Sequence, residues 1–503
     1  MPPAVLAIDQ GTTGSTALVL SKDGDILGRS YAELPQHYPQ PGWVEHDPED
    51  IWRISLRVIE EALAAANLGP GDLRALGITN QRETTVVWDR HSGQPIHRAI
   101  VWQSRQTAEI CARMRQEGHE ETLRQKTGLV LDAYFSASKI RWILDHYPDA
   151  QARADQGDLL FGTVDTWLLW RLTGGTVHAT EPTNASRTLL FDLEERGWSE
   201  DLCALFQVPQ AMLPTIHPSA GVFGETVAQG TLPAGIPVAG MAGDQQAALY
   251  GQTCWRPGEA KNTYGTGCFL LLNTGERRVG SEHGLLTTMV CDAQGQAAYG
   301  LEGSVFIAGA AVQWLRDELG VLGQAAESEA LARSVDDTGG VYLVPAFAGL
   351  GAPYWDSDAR GALLGLTRGS GRAHIARAAL ESIAYQSRDV VEAMNRDIEA
   401  SGAGTPLSSL RVDGGAAAND FLMQFQSDLL GVPVERPRML ESTAAGSAFL
   451  AGLATGLWSS PDEIAAIHRL DRSFEPHLDA ERRETLYDGW NQAVHRVRSE
   501  NRP

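Results

Sequence analysis

The sequence has few lysines and few cysteines for its length of 503 residues. Lysine supplies only four of the 41 basic residues, so arginine carries nearly all of the positive charge. The five cysteines form no Cys-x-x-Cys pair, which argues against a zinc site or a disulfide framework and favours a reducing compartment.

No apolar run reaches the roughly 18 residues of a membrane-spanning helix. The amino terminus lacks the basic and apolar segments of a signal peptide. We therefore expect a cytoplasmic protein without stable membrane association.

The surface also lacks positive net charge. The formal net charge is −22 at pH 7, and such a surface repels nucleic acids and anionic membranes. It repels polyphosphates at long range as well. Any phosphate site must therefore depend on local donors, such as backbone amides, a helix N-terminus or a metal ion. Nucleic acid is not an expected partner.

Several familiar motifs are missing. The chain has no Gly-x-x-x-x-Gly-Lys-Ser/Thr loop and no His-Arg-Asp or Asp-Phe-Gly sequence, which excludes P-loop enzymes and protein kinases. His-Glu-x-x-His and Gly-x-Ser-x-Gly are absent too. If the protein binds a nucleotide, it must use another device.

What is present is the composition of a globular protein, with 43% apolar and 21% charged residues. Strand-like and helix-like segments alternate, which predicts an α/β fold. The length predicts two to four domains. Residues 251–258 have the composition of a connection, so we place a domain boundary there and expect domains at 1–250 and 251–503.

Two turns rich in glycine and threonine adjoin apolar strands. In the first half, strands predicted at 4–8 and 16–20 flank a turn at 9–15. In the second half, residues 262–267 lead into an apolar run at 268–272. Two such hairpins suggest two related halves.

A third glycine turn, at residues 413–415, follows a strand at 410–412 and precedes a predicted helix. One face of that helix carries Phe421, Leu422, Phe425 and Leu429. Glycine allows close approach of the backbone to phosphate, while threonine hydroxyls and turn amides donate hydrogen bonds. Any one turn is more often an ordinary β-turn, but three turns that each adjoin a buried strand favour phosphate binding. Asp9, at the start of the first turn, could hold Mg²⁺ through water.

A polar run at residues 77–85 lies between apolar segments. Its adjacent Arg82 and Glu83 could bind neighbouring hydroxyls of a polyol, or could form a common ion pair at a solvated strand end. Trp102 could supply a flat wall for substrate carbons or belong to the core.

Asp244 follows a glycine at the start of a predicted helix, where it could be an N-cap, a general base in phosphoryl transfer, or both.

Taken in order along the chain, these motifs resemble those of the FGGY carbohydrate kinases, from Ala7 to about Trp490. The stretches that carry the resemblance are residues 7–13 (AIDQGTT), 41–48 (PGWVEHDP), 80–85 (NQRETT), 134–142 (YFSASKIRW), 162–167 (GTVDTW), 242–246 (AGDQQ) and 361–381. The resemblance implies an α/β fold with two actin-like, ribonuclease H-like domains closing over a central cleft. It further implies ATP and Mg²⁺ as cofactors, glycerol as the phosphoryl acceptor, and a homo-oligomer, either a dimer or a tetramer.

The resemblance also implies roles for individual residues. Asp244 would be the general base. The polyol would be held by Arg82, Glu83, Tyr134, Asp244 and Gln245, with its carbons against Trp102 and Phe269. The nucleotide would contact Thr12, Thr13, Gly14, Thr266, Gly267, Gly309, Gln313, Gly415 and Asn419, and Mg²⁺ would lie near Asp9.

The sequence departs from the family pattern in three places. Thr16 stands where an arginine is usual in the first hairpin. The loop at 230–237, which matches a fructose 1,6-bisphosphate loop of some relatives, contains no basic residue. The histidine that other relatives phosphorylate has no match. Two other functions remain open: phosphorylation of another polyol or a sugar, and a nucleotide-binding, actin-like switch without catalysis.

Overall fold

Strands and helices alternate along the chain in a computed structural model that describes residues 3–68, 71–439 and 441–501. The strands are β1 (Ala4–Gln10), β2 (Gly14–Ser21), β3 (Ile26–Glu33), β4 (Glu45–His46), β5 (Leu73–Asn80), β6 (Val86–Asp89), β7 (Ala99–Ile100), β8 (Leu159–Gly162), β9 (Ala179–Thr180), β10 (Phe191–Asp192), β11 (Gly197–Trp198), β12 (Thr215–Ile216), β13 (Ala220–Glu225), β14 (Pro237–Gly243), β15 (Glu259–Tyr264), β16 (Cys268–Gly275), β17 (Leu286–Cys291), β18 (Ala297–Val305), β19 (Tyr342–Val344), β20 (Ala362–Leu364), β21 (Ser409–Asp413), β22 (Val434–Pro437) and β23 (Leu470–Phe474).

The α-helices are α1 (Pro48–Ala66), α2 (Ala108–Gln116), α3 (Glu120–Thr127), α4 (Ser136–His146), α5 (Ala150–Asp155), α6 (Val164–Leu172), α7 (Pro182–Ala185), α8 (Glu200–Leu205), α9 (Asp244–Gly251), α10 (Gly309–Asp317), α11 (Glu327–Arg333), α12 (Arg372–Ser401), α13 (Asp420–Leu430), α14 (Ser442–Ala454), α15 (Pro461–Ile467) and α16 (Ala480–Val497). Short 3₁₀-helices occupy Gln210–Met212, Gly415–Ala418 and Ser499–Asn501.

The backbone divides into two compact units that interleave along the sequence. Unit 1 comprises Met1–Trp255, Thr287–Tyr299 and Glu441–His468, and unit 2 comprises Arg256–Leu286, Gly300–Leu440 and Arg469–Pro503. Unit 1 therefore includes two segments from the second half of the chain. The functional division at residues 250 and 251 stays a prediction.

The main sheet of unit 1 has the order β13-β14-β5-β1-β2-β3. β1, β2 and β3 form an antiparallel meander, as the sequence predicted for the first thirty residues. β5 runs parallel to both β1 and β14, and its last residue, Asn80, is paired with Gln10 on one side and with Gly243 on the other. Because parallel strands end at the same edge of a sheet, the segments that follow β1, β5 and β14 begin side by side.

Helix α1 covers part of this sheet and shows how the local sequence sets an element. The side chain of Asp47 accepts a hydrogen bond from the Glu49 amide and caps the first turn, which Pro48 opens. Apolar residues then recur at helical spacing and are buried: Ile51, Ile54, Val58, Ile59, Ala62 and Leu63.

Helix α14 packs against the rest of unit 1 at two glycines, one on β5 and one on α14 itself. A β-carbon at Gly77 of β5 would lie 2.3 Å from the Ser447 carbonyl oxygen, and one at Gly446 would lie 1.8 Å from the Ala247 carbonyl oxygen of α9. Such contacts are far below van der Waals distance, so glycine is required at both positions. The helix is rich in alanine, which suits this close approach.

The sheet of unit 2 repeats the arrangement of the first hairpin. Its strands include β18, β16, β15, β21, β22 and β23 in that order. β15 and β16 form an antiparallel hairpin around residues 265–267, and β15 runs parallel to β21, just as β1 pairs with β2 and β5. The predicted helix after the third turn is α13, and the four apolar residues predicted for its face are all buried. The α/β prediction is confirmed.

Within the described residues, no helix combines the length and the apolar character needed to cross a membrane.

The glycine contacts of α14 can be tested by a single substitution. Gly446→Ala should lower the free energy of unfolding by about 1–3 kcal/mol, because the added methyl group overpacks the α9–α14 contact. Urea unfolding followed by circular dichroism measures the change. Gly280→Ala is the control, since a β-carbon there meets no atom within 4 Å. Equal stability of the two variants would contradict the inferred close packing.

Candidate active site

The first glycine–threonine turn is held by hydrogen bonds on both sides. The Gly11 amide donates to the Gly14 carbonyl at 2.9 Å, and the Leu34 amide donates to the Thr13 carbonyl at 2.9 Å. Gly14 lies under β3, where a β-carbon would meet the Ala32 carbonyl oxygen at 2.5 Å. The turn is therefore a fixed backbone feature, and Thr13 at its tip is exposed to solvent.

Asp9 precedes this turn and is paired across the hairpin with Thr16, the residue that replaces the usual arginine. Burial, together with smaller contributions from the charges of Asp244 and Glu441, raises the pKa of the Asp9 carboxyl to about 8. Two further carboxylates of unit 1 thus act on Asp9, and no cation is among the causes of this pKa shift. Divalent-cation binding would relieve their repulsion.

Arg82 and Glu83 follow β5 and are almost completely buried. The Arg82 Nε atom lies 3.3 Å from Asp244 Oδ1 and 3.9 Å from Glu83 Oε1. Arg82 Nη1 also donates to Gln246 Oε1 at 3.3 Å. The structure therefore brings together the arginine and both carboxylates that the sequence singled out, with the guanidinium between them.

Asp244 is the first residue of α9, and Gly243 is the N-cap. Asp244 Oδ1 accepts a hydrogen bond from the Gln245 amide at 2.7 Å. The carboxylate therefore satisfies a backbone donor at the start of the helix while it also pairs with Arg82. The side chain of Asp244 is 30% exposed, whereas those of Arg82 and Glu83 are 3% and 2% exposed. Of these three groups, Asp244 is the most exposed to solvent.

The start of α9 is anchored by a buried carboxylate. The Gly243 amide donates to Thr183 Oγ1 at 2.9 Å, and that hydroxyl donates to Glu181 Oε1 at 2.6 Å. Glu181 has no exposed surface and also accepts from Ser219 Oγ. This chain of hydrogen bonds fixes the backbone from which Asp244 projects.

The aromatic side chains of Trp102 and Tyr134 contact each other next to the first glycine–threonine turn. The rings of Trp102 and Tyr134 are 5.5 Å apart in an edge-to-face arrangement. Trp102 is not pure core, because its indole Nε1 donates to Thr12 Oγ1 at 2.8 Å and it is only half-buried. It thereby connects the first glycine–threonine turn to the aromatic pair.

The candidate nucleotide residues of unit 2 lie around the second turn. The Ala308 amide donates to the Thr266 carbonyl at 2.8 Å, and the Gly309 amide donates to the Gly265 carbonyl at 3.0 Å. These bonds place the start of α10 directly on the turn, and Gln313 is exposed one helical turn further along. The turn at residue 267 needs glycine, because a β-carbon there would meet the Val305 carbonyl oxygen at 2.3 Å.

The third turn also meets the second strand pair of unit 2. Gly414 has a positive φ of 85° and a β-carbon there would lie 2.6 Å from the Tyr264 carbonyl oxygen. Gly415 begins the following 3₁₀-helix and is exposed. Asn419 caps α13 through its Oδ1 atom, which accepts the Leu422 amide at 3.0 Å. Phe269, the remaining candidate, lies half-buried on β16.

Sequence reasoning missed Arg187 and gave no role to Lys139. Arg187 is fully buried, its Nε atom lies 2.6 Å from Glu83 Oε1, and its guanidinium lies 5.6 Å from the centre of the Tyr134 ring. Lys139 Nζ donates to the backbone carbonyl of Glu83 at 3.3 Å. A charged residue inside a mostly apolar or uncharged run was the available signal for both. Their shared partner, Glu83, lies about a hundred positions from Arg187 and more than fifty from Lys139 in sequence, beyond the reach of helix or hairpin patterns.

Comparison with known proteins agrees with this architecture. Residues 4–251 match the N-terminal domain and residues 260–455 the C-terminal domain of the FGGY family of carbohydrate kinases. The chain is 58% identical over 494 residues to a glycerol kinase of Symbiobacterium thermophilum and 57% identical over 493 residues to one of Stenotrophomonas maltophilia, with 98% of each chain covered in both cases.

Solved structures show the same similarity. The glycerol kinase of Plasmodium falciparum with ADP superposes with a TM-score of 0.92 at 36% identity, covering 99% of this chain and 98% of that one. A gluconate kinase of Lactobacillus acidophilus shares the fold at a TM-score of 0.86 and 18% identity, with 99% and 98% covered. The fold is thus the two-domain, actin-like α/β fold of sugar and polyol kinases. The chain belongs to the FGGY family of carbohydrate kinases.

The buried charge contact of Arg187 leads to a stability prediction. Arg187→Met should lower the free energy of unfolding by roughly 3–5 kcal/mol, because it removes a buried partner of the Glu83 carboxylate. Thermal and urea unfolding measure the effect. Arg98→Met, at an exposed arginine of the same unit, is the matched control. A variant at 187 as stable as this control would show that the contact contributes little.

Proposed function

We propose that this protein transfers the γ-phosphoryl group of ATP to glycerol and forms sn-glycerol 3-phosphate, the first step of glycerol catabolism. The observation that carries the proposal is the constellation of Arg82, Glu83 and Asp244, in which one buried guanidinium lies near both carboxylates and Asp244 is the most exposed of the three groups. Curated relatives that are 57–58% identical over nearly their whole length are glycerol kinases, which supports the choice of glycerol over a sugar.

The proposed polyol site has the groups that a small triol needs. Glu83 and Asp244 accept hydrogen bonds from hydroxyl groups, and Arg82 donates to hydroxyl oxygens. Trp102 and Tyr134 offer apolar ring surface for the carbon atoms, with Gln245 and Phe269 as further proposed contacts. A substrate that lacks one hydroxyl would leave a buried polar group unpaired, at a cost of roughly 1–3 kcal/mol.

Asp244 is the proposed general base. As the acceptor oxygen forms its bond to the γ-phosphorus, the carboxylate takes the hydroxyl proton, and the bond from the γ-phosphorus to the bridging oxygen of ADP breaks. Arg82 keeps the carboxylate oriented, and the Gln245 amide holds one of its oxygens. The direct in-line transfer needs no covalent intermediate on the protein.

For the nucleotide, the proposed contacts are backbone amides and hydroxyl groups at the glycine turns. Such donors bind phosphate oxygens without a lysine side chain, which is consistent with the small number of lysines, four, in this chain. The residues proposed are Thr12, Thr13 and Gly14 in unit 1, and Thr266, Gly267, Gly309, Gln313, Gly415 and Asn419 in unit 2.

Mg²⁺ is the metal that this family of reactions implies, and the residues fit it. No group of three or more potential metal-ligating side chains occurs within the described parts of the chain. Mg²⁺ commonly keeps several waters and uses one or two carboxylates together with substrate phosphates, so a lone carboxylate suffices. The raised pKa of Asp9, about 8, marks an uncompensated carboxyl that a cation would stabilise in its charged form. When bound, Mg²⁺ supplies charge neutralisation to the phosphates.

A cytoplasmic location is proposed as well. All five cysteines are buried thiols, as expected in a reducing compartment. A homo-oligomer, either a dimer or a tetramer, stays a prediction from the family resemblance.

Substrate choice is tested with a panel of acceptors and coupled detection of ADP. Glycerol should exceed 1,2-propanediol and 1,3-propanediol in kcat/KM by roughly 10- to 200-fold for each missing hydroxyl, in line with unpaired buried groups. Xylulose and gluconate should be poor acceptors. Equal turnover of a five-carbon ketose would assign the protein to another substrate.

The role of Asp244 is tested by Asp244→Asn. We expect kcat to fall by about 10²- to 10⁴-fold, the usual contribution of a general base, while isothermal titration shows unchanged affinity for ADP. Asp23→Asn, at an exposed turn, serves as the control. Near-normal turnover of the variant would refute the assigned base.

The metal requirement is tested by chelation. Activity should disappear in excess EDTA and return with Mg²⁺. Because Asp9 is proposed to hold the ion through water, Asp9→Asn should raise the Mg²⁺ concentration for half-maximal activity by roughly 10- to 100-fold. An unchanged Mg²⁺ requirement would place the ion elsewhere.

A further inference from the structure

Lys139 is a fully buried lysine on α4 in contact with two proposed polyol residues. Its ammonium group donates to the backbone carbonyl of Glu83 at 3.3 Å and to that of Tyr134. These two residues lie about fifty positions apart in sequence, so no hairpin or helix pairing holds them together. The lysine therefore joins two segments of unit 1 at the polyol site.

Glu83 needs such support because its backbone is strained. Its φ angle is +61°, in the left-handed region that residues with a β-carbon rarely adopt. Conformations of this kind cost about 1–3 kcal/mol and persist only where the surroundings enforce them. Here three donors converge on the Glu83 carbonyl: Ser136 Oγ at 3.0 Å, Thr85 Oγ1 at 3.1 Å and Lys139 Nζ at 3.3 Å.

The side chain of Glu83 is fixed from another direction. Arg187 Nε lies 2.6 Å from its Oε1 atom, and the Arg187 guanidinium also lies over the Tyr134 and Phe135 rings. Arg187 thus fixes the position of the Glu83 carboxylate, while Lys139 fixes the position of the Glu83 backbone carbonyl. Together they leave the glutamate little freedom to move.

A lysine is a costly choice for this position. Burial lowers the pKa of the Lys139 ammonium group to about 7, although the charges of Glu83 and Asp132 oppose the shift. An apolar side chain of similar length would avoid the desolvation cost of a charged group. The cost is explained if the ammonium is needed for its hydrogen bonds.

We propose that Lys139 is a positioning residue of the polyol site. By binding the carbonyls of Glu83 and Tyr134 it holds the carboxylate and the ring at the spacing that the hydroxyls and carbons of the polyol require. The inference rests on the proposed function, since it concerns the same site. It adds a determinant of polyol selectivity that does not itself touch the substrate.

Lys139→Met tests the proposal, because methionine fills similar space without donating hydrogen bonds. We expect KM for glycerol to rise by roughly 10- to 100-fold, as for a misplaced binding group, with KM for ATP unchanged. The preference for glycerol over 1,2-propanediol should shrink in the variant. Lys126→Met, at a partly exposed lysine paired with Asp192 and Asp201, is the matched control.

A double-mutant cycle separates positioning from a general structural role. If Lys139 acts through Glu83, then Lys139→Met should add little to the KM effect of Glu83→Gln. Additive effects on KM, or a fall in thermal stability with unchanged KM and selectivity, would overturn the proposal. Should Lys139→Met fail to fold, Ser136→Ala removes another donor to the same carbonyl and should shift KM for glycerol in the same direction. An unchanged KM in that variant would count against the proposal.

The proposed function and the positioning role of Lys139 can be overturned by different results. Absence of glycerol phosphorylation by the unmodified protein would overturn the proposed function, and the positioning role with it. Glycerol turnover by the unmodified protein, with an unchanged glycerol KM in Lys139→Met, would overturn the positioning role alone.

Discussion

A buried carboxylate must be compensated by nearby positive charge, and this requirement organises the surroundings of Glu83. Removing an ion from water costs several kcal/mol even after the protein relaxes. At Glu83 the compensation comes from Arg187 at 2.6 Å and Arg82 at 3.9 Å, with Lys139 on the backbone carbonyl. Because Arg187 and Lys139 come from two other segments, meeting the electrostatic requirement of one glutamate also fixes the positions of these two segments relative to it.

The same requirement applies to Asp244, the proposed general base. Arg82 is shared between Glu83 and Asp244, so the two acidic groups are held apart by one guanidinium. Glu181, with no exposed surface, anchors Thr183, and Thr183 anchors the Gly243 amide at the start of α9. Asp244 is therefore presented from a rigid support while its own side chain keeps contact with solvent, which is the arrangement that a proton acceptor for an incoming hydroxyl needs.

Each unit builds its glycine–threonine turn in the same way and stabilises it differently. Both turns join two antiparallel strands, the first of which pairs with a parallel strand. In unit 1 a side chain adds to the backbone hydrogen bonds of the turn, since the Trp102 indole donates to Thr12. In unit 2 it is supported by the backbone at the start of α10, through amides at residues 308 and 309. Pairing of a hairpin with a parallel strand is the common element, and the supporting groups are local additions.

The sequence by itself determined what depends on neighbouring residues: the strands of the first meander, the glycine turns and the apolar face of α13. Those features follow from backbone preferences and periodicity, which act over a few positions. The sequence also singled out Arg82, Glu83 and Asp244 as candidate site residues. Only the tertiary structure decided that α14 belongs to unit 1, that Arg187 compensates Glu83, and that Lys139 meets two carbonyls. Close packing and charge compensation depend on which distant segments meet, and no local pattern records that.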